Sequence, residues 1–204
     1  GLSFLILLIY FSFKISFKKL INFYLIFFLI CFQGFIGWYM VSSGLIDRVD
    51  VSHFRLSVHL LIAFFILSLI FWNYLKLKDI NISNNLSIKF PIIFIVFLFL
   101  QIIIGAFVSG MDAGKIYNSW PLMGTSYFPD DNKISNLISF NAFSDPSLVQ
   151  FMHRNLAYLI LIIYLIILYK ILKSKLVDYI KTIIIIGIFL IIQIFLGIFT
   201  VLYG

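Results

Sequence analysis

The sequence contains no glutamate, a single cysteine, and only 11% charged residues in a chain of 204. It also has no His-Glu-x-x-His zinc motif, no glycine-rich phosphate loop and no serine nucleophile elbow. Hydrolysis and phosphoryl transfer therefore have no visible catalytic apparatus. The one cysteine, Cys31, lies in the middle of an apolar run, so we expect a small core residue and no internal disulfide.

The sequence is instead rich in long apolar runs. Hydrophobic residues make up 63% of the chain, whereas a soluble domain has roughly 45–50%. A membrane-spanning helix needs about 20 apolar residues, and five runs reach that length: Leu20–Ile46, Leu56–Leu75, Phe90–Met111, Pro146–Tyr169 and Thr182–Gly204. The sequence therefore predicts an all-α, polytopic transmembrane helix bundle.

The two ends of the sequence resemble cut helices. The chain starts without Met, and its first apolar run, Gly1–Phe13, is too short to span a bilayer and lacks the features of a signal peptide. The last run stops at Gly204 without a following loop. We expect the chain to be part of a longer protein.

The net charge of +7 is distributed over alternate loops. The first, third and fifth loops hold ten lysines and two aspartates, and the other loops hold five cations and six aspartates. By the positive-inside rule, the lysine-rich loops face the cytoplasm or matrix. The remaining loops and the histidine-bearing helix ends then face the periplasm or intermembrane space, in a bacterial or mitochondrial inner membrane, and nucleic acid is not expected as a partner.

The third loop divides the predicted bundle into two halves. It contains the turn-prone run Asn-Ile-Ser-Asn-Asn, so we predict an N-terminal half-bundle over 1–78, an inside linker over 79–89 and a C-terminal half-bundle over 90–204. Ser52 is the predicted N-cap of the helix that carries His59. The loop from Met111 to Asp145 is long enough to indicate a functional segment or a lid.

His59 and Arg55 lie four residues apart at the start of a predicted spanning helix, which places them on one face. An ionisable residue inside a membrane helix indicates a functional site. The functional interpretation of His59 is an axial metal ligand or a proton relay, with Arg55 placed for a propionate. The alternative is a hydrogen bond between helices.

His153 lies in the fifth run and has the same two interpretations, while the adjacent Arg154 points elsewhere, to a headgroup or an outer-loop aspartate. Asp112 could cap a helix, orient a histidine or pair with Arg154, or be a solvated loop residue. His53 is interpreted as a surface residue in the turn, with a role near the site as the alternative. Four aromatic residues are interpreted as an interfacial belt: Trp38, Tyr39, Trp120 and Tyr127. Of these, Trp38 and Trp120 could also line a large flat ligand.

The pattern Gln-x-x-x-Gly recurs in three outward-running helices. Its copies are Gln33 to Gly37, Gln101 to Gly105 and Gln193 to Gly197. The glycine permits close helix approach, and the amide lies on the same face. His59 lies 26 residues after Gln33. If the third copy is followed in the same way, a histidine would occur 26 residues after Gln193.

Two helix-borne histidines at the outer side of a small helical bundle indicate haem. Four segments resemble the haem A synthase family, in its mitochondrial and alphaproteobacterial branch: QGFIGWYMVSSGLIDRVDVSHFRLSVHL, GAFVSGMDAGKIYNSWPLMG, FMHRNLAY and QIFLGIFTVL. The resemblance implies eight spanning helices in two similar halves, of which this chain holds the second to the seventh. It also implies oxidation of the C8 methyl of haem O to a formyl, giving haem A for cytochrome oxidase, with water as the oxygen source.

The resemblance assigns roles to particular residues. His59 would hold the substrate haem O and His153 the haem b, with Arg55 and Arg154 as propionate candidates. The family's catalytic glutamate lies before residue 1, so no catalytic residue is assigned. The family carries a pair of histidines in each half, and the isolated chain is expected to be inactive because it lacks one histidine of each pair. Haem O synthase, oxidase assembly factors, membrane lipid and a second copy are possible partners. The alternatives are a b-type cytochrome that carries electrons without modifying haem, and a transporter.

Overall fold

A computed structural model describes residues 2–14, 16–44, 51–78 and 87–204. These residues form six α-helices: α1 (Leu2–Ser12), α2 (Phe17–Gly44), α3 (His53–Leu77), α4 (Lys89–Gly110), α5 (Pro146–Lys173) and α6 (Val177–Tyr203). All except α1 are long and apolar enough to cross a membrane. The prediction of an all-α, polytopic membrane protein is confirmed.

The chain divides into two compact units, Gly1–Asn81 and Ile82–Gly204, each described by itself. In the first unit, α1 packs on α2 and α2 packs on α3. Near one end of this hairpin the amide of Asn22 donates to Asn73 Oδ1 at 3.2 Å, and near the other end Gln33 meets His59. These pairings show that α2 and α3 run antiparallel.

In the second unit, α5 packs between α4 and α6. The buried hydroxyl of Tyr164 on α5 donates to the carbonyl oxygen of Ile183 on α6 at 3.1 Å. The segment between α4 and α5 contains three short 3-10 turns and folds against the first turns of α5. This segment, residues 111–145, is called the outer loop below. The predicted linker lies outside the described residues over 79–86, so the division into half-bundles stays a prediction.

Several helix ends differ from the uncharged runs that were used to place them. α6 begins at Val177 with Asp178 in its first turn, and α5 continues to Lys173. An acid at a helix N-terminus and lysines at a C-terminus interact favourably with the helix dipole. Charged residues therefore lie inside the terminal turns of these helices, and the helices extend beyond the uncharged runs. Ser52 is the N-cap residue of α3, as predicted, although its side chain makes no capping hydrogen bond.

The prediction for Cys31 is wrong, because the residue is exposed on α2. Large apolar side chains of α2 are exposed as well, among them Phe28, Phe35 and Trp38. An apolar helix sequence does not reveal which of its faces will be covered.

Candidate functional site: two matched histidine sites

The first histidine site is formed by α2 and α3. The side-chain Nε2 of Gln33 donates to the backbone oxygen of His59 at 2.9 Å, and the same nitrogen lies 3.2 Å from the ring Nε2. A carbonyl oxygen can only accept, so the amide atom that faces it must be the nitrogen. The ring Nε2 then accepts the second amide hydrogen, and the proton of the neutral imidazole lies on Nδ1.

Gly37 lies one turn beyond Gln33 and forms the floor of this site. A Cβ added to Gly37 would lie 3.0 Å from Cε1 of the His59 ring. This separation is tighter than a normal carbon–carbon contact. The ring edge therefore rests directly on the backbone of α2, and the glycine of the Gln-x-x-x-Gly pattern makes the space for it.

The second histidine site, on α4 and α5, repeats this geometry. Gln101 Nε2 lies 3.3 Å from both the backbone oxygen and the ring Nε2 of His153. A Cβ added to Gly105 would lie 3.1 Å from Cε1 of that ring. The structure thus brings each predicted histidine onto the Gln-x-x-x-Gly pattern of the preceding long helix. Sequence reasoning had linked the pattern to a following histidine by its spacing along the chain, but it had not placed the two in contact.

The chemistry of these sites follows from the two ring nitrogens. Nδ1 of both rings, which carries the proton in this arrangement, is buried without a hydrogen-bond partner in the part of the chain that the structure describes, so Nε2 keeps the lone pair that a metal would use. The same residues contain no cluster of three or more His, Cys, Asp or Glu side chains that could enclose a metal ion. A single neutral imidazole suits a metal whose other ligands come with it, as they do in haem. The residues present therefore fit a haem iron ligand, one in each unit.

Arg55 lies one turn from His59, as its spacing predicts. Its guanidinium carbon is 5.0 Å from the centroid of the Tyr39 ring on α2, a distance at which a cation is attracted to an aromatic face. The first turn of α3 is thereby held against the last turns of α2. Binding of a propionate by Arg55 stays a prediction.

Arg154 has different partners from those expected. Its Nη1 donates to the carbonyl oxygens of Ser119 at 2.9 Å and Leu122 at 3.4 Å, and its Nη2 donates to that of Tyr117 at 3.0 Å. All three carbonyls belong to the outer loop. The expectation of an aspartate partner is wrong, because the folded loop presents backbone oxygens at this position. Binding of a propionate stays a prediction here too.

Other side chains of α5 extend this attachment of the outer loop. Gln150 donates to the carbonyl of Tyr117 at 3.0 Å, and Tyr158 Oη accepts from the indole of Trp120 at 2.9 Å. Sequence reasoning missed Gln150 and Tyr158. Both are spaced four residues from Arg154, so the three polar side chains follow one face of the helix. That regular spacing in an apolar helix was the available signal.

Asp131 also stabilises the fold of the outer loop. Asp131 accepts from the Ser147 hydroxyl at 2.6 Å and from the Tyr117 hydroxyl at 2.9 Å. Burial raises the pKa of Asp131, but the hydrogen bonds from Ser147, Tyr117 and Asn132 outweigh it and hold the pKa below its usual value. Burial, followed by the bond to Asp131, raises the pKa of Tyr117.

Two further candidates are Asp112 and His53. Asp112 is paired with Lys115 at 3.0 Å, and both side chains are 70% exposed. The expected alternatives in which it pairs with Arg154 or orients a histidine are not observed among the described residues. His53 is the first residue of α3 and is half-buried, with its ring 4.2 Å from that of Phe54.

Comparison with known proteins identifies the family to which these sites belong. The model of the COX15-CtaA family, described as cytochrome oxidase assembly protein, matches residues 1–204. The chain belongs to this family. No solved structure matches the chain.

Curated COX15-CtaA relatives match the whole chain. A protein of Pelagibacter ubique named Heme A synthase is 48% identical over 212 residues, which cover 100% of this chain and 61% of the relative. Proteins of the same name from Rickettsia bellii and Rickettsia felis are 42% and 39% identical and are covered to 62% and 63% of their lengths. The chain thus spans somewhat less than two thirds of these relatives.

Proposed function

We propose that the protein containing this chain is a haem A synthase, an oxidoreductase that converts the C8 methyl of haem O to a formyl. The observation that carries the proposal is the pair of matched histidine sites, one in each unit of a chain from the COX15-CtaA family. The names of its relatives support the same activity. Two sites suit a reaction that needs a substrate haem and a separate redox haem.

The oxidation has a defined balance. A methyl group and one water become a formyl group, four protons and four electrons. Haem b, which His153 would hold, would relay these electrons one at a time from the substrate to an external electron acceptor, which is the oxidant of the reaction. His59 would hold haem O as the substrate, and the neutral form of both rings, with a lone pair on Nε2, is the form that binds a metal.

Arg55 and Arg154 differ in how their guanidinium groups could bind a haem propionate. Arg55 lies one turn from His59, where its guanidinium also contacts Tyr39, and it is our candidate for a propionate of the substrate. Arg154 uses both terminal nitrogens on carbonyls of the outer loop. It therefore orders the segment over the end of α5, and only its remaining N–H groups are available to a propionate.

The test is to express the complete gene product that carries this sequence in a host that makes haem O but not haem A. Haems are then extracted and separated by chromatography. We expect haem A from the wild type, none from His59→Ala, and loss of both haem b and haem A from His153→Ala. His53→Ala is the matched control, and it should retain haem A.

Other results would contradict the proposal in distinct ways. Haem b without haem A in the wild type would indicate a b-type cytochrome that carries electrons only. Absence of any bound haem would exclude both functions and leave a transporter. If haem A persisted in His59→Ala, the assignment of the substrate site to His59 in the first unit would be wrong.

A further inference from the structure

We propose that Gln33 and Gln101 are positioning residues that fix the ring tautomer of His59 and His153. Each amide makes two contacts through a single nitrogen, one to the histidine's backbone oxygen and one to its ring Nε2. The backbone contact fixes which amide atom faces the ring. The ring contact then leaves Nδ1 as the only position for the imidazole proton.

This tautomer is the one that a metal needs if it binds at Nε2. A neutral imidazole carries one proton and one lone pair, and a bond at one nitrogen decides which nitrogen keeps the proton. With the proton held on Nδ1, the lone pair of Nε2 faces the amide hydrogen. The glutamine thereby satisfies a lone pair that would otherwise lie unpaired inside a membrane protein.

The amide is also held by a contact that does not involve the ring. One of its hydrogens is bonded to a backbone oxygen, at 2.9 Å for His59 and 3.3 Å for His153. A metal that binds at Nε2 would take the position of the amide nitrogen, so the side chain of Gln33 or Gln101 would have to turn away from the ring when the metal binds. The positioning role therefore concerns the ring before it binds a metal.

The repetition of this arrangement argues against a chance contact. Two helix pairs in separate units show the same amide nitrogen, the same ring nitrogen and a glycine one turn beyond, with Cβ-to-Cε1 distances of 3.0 and 3.1 Å. A polar bond between helices does not require a histidine, because Asn22 and Asn73 form one in the same hairpin. The histidine therefore distinguishes these sites from ordinary helix pairing.

The tautomer itself can be measured in the haem-free gene product. With histidine labelled by nitrogen-15, the ring-nitrogen shifts report which nitrogen carries the proton, and His→Ala variants assign the signals. We expect Nδ1–H for both His59 and His153. Gln33→Leu should change the tautomer population of His59 only, and Gln101→Leu that of His153 only.

Two variants separate positioning from a general effect on folding. Gln33→Glu should move the proton of His59 to Nε2, because a carboxylate can accept but cannot donate. Asn73→Leu removes the other polar bond of the same hairpin and should leave both tautomers unchanged. If Gln33→Leu fails to accumulate, Gln33→Met, which keeps the chain length without an N–H, replaces it.

Three results would overturn the inference. They are an Nε2–H tautomer in the wild type, an unchanged His59 signal in Gln33→Leu, and an equal change in Asn73→Leu. The link to haem rests on the proposed function, whereas the tautomer does not. Haem content is therefore measured in parallel, and we expect a several-fold lower content in each glutamine variant.

The parallel measurement keeps the two proposals distinguishable. A wild type that binds no haem but shows the expected tautomers would refute the proposed function and leave the positioning role intact. If the wild type makes haem A but the tautomer populations of His59 and His153 are unchanged in the glutamine variants, the positioning role alone is refuted.

Discussion

Arg154 donates through Nη2 to the carbonyl oxygen of Tyr117 at 3.0 Å, so a cation next to a candidate haem ligand holds the backbone of the outer loop. The side chain also serves two more carbonyls of that loop. One side chain therefore makes three of the hydrogen bonds that hold the outer loop on α5.

Replacement of this arginine should release the outer loop. Loss of hydrogen bonds to partly buried acceptors costs about 1–3 kcal/mol. Amides 123–125, which donate hydrogen bonds within the outer loop, should therefore exchange with solvent about 10- to 100-fold faster in Arg154→Leu. Hydrogen exchange followed by mass spectrometry measures this. Lys115→Ala, which alters an exposed residue of the same loop, is the control. Reduced haem content with unchanged exchange would instead indicate that Arg154 acts only on the ligand.

Acid should release the same loop through Asp131. Because its folded-state pKa is lowered, Asp131 contributes stability above its unfolded pKa of about 3.9, and this contribution is lost as pH falls through the lower folded value. We expect constant exchange protection near Ser147 from about pH 5 to 8, and a decline below about pH 4. Asp131→Asn should lack this decline, whereas Asp112→Asn should retain it. Identical profiles for all three proteins would contradict the assignment.

The contact between Arg55 and Tyr39 should appear as a coupling energy. Cation–π pairs at exposed sites contribute roughly 0.5–1 kcal/mol. A double-mutant cycle of Arg55→Leu and Tyr39→Leu, followed by unfolding of the purified protein, should give an interaction of that size. Strict additivity would show that the two side chains stabilise the hairpin independently.

Hydropathy was sufficient to predict the helices but not their pairing. Five apolar runs of spanning length indicated the membrane fold, and the Gln-x-x-x-Gly pattern was visible as a repeat. The contact between that pattern and a histidine depends on which helix faces share a hairpin. Helix periodicity does not specify this, and it equally failed to place Cys31.

The same limit applies to the residues around His153. Arg154 was expected to meet a charge, but the path of the outer loop decides which atoms it meets, and no spacing rule gives that path. The third copy of the pattern lies on α6, with Gln193 and Gly197 both exposed. A Cβ at Gly197 would meet nothing within 4 Å among the described residues. The expected histidine after Gln193 stays a prediction.

Gly37 and Gly34 offer the most closely matched test of the first histidine site, because they lie one turn apart on α2. A Cβ at Gly37 would press on the His59 ring, whereas one at Gly34 would meet nothing within 4 Å. Overpacking costs about 1–3 kcal/mol, and alanine improves an open helical position by about 0.5–1 kcal/mol. Gly37→Ala should therefore lower the unfolding midpoint and the haem content, while Gly34→Ala should leave haem content unchanged and raise the midpoint slightly. If both variants behaved alike, close contact between the ring and the α2 backbone would not be needed to hold His59.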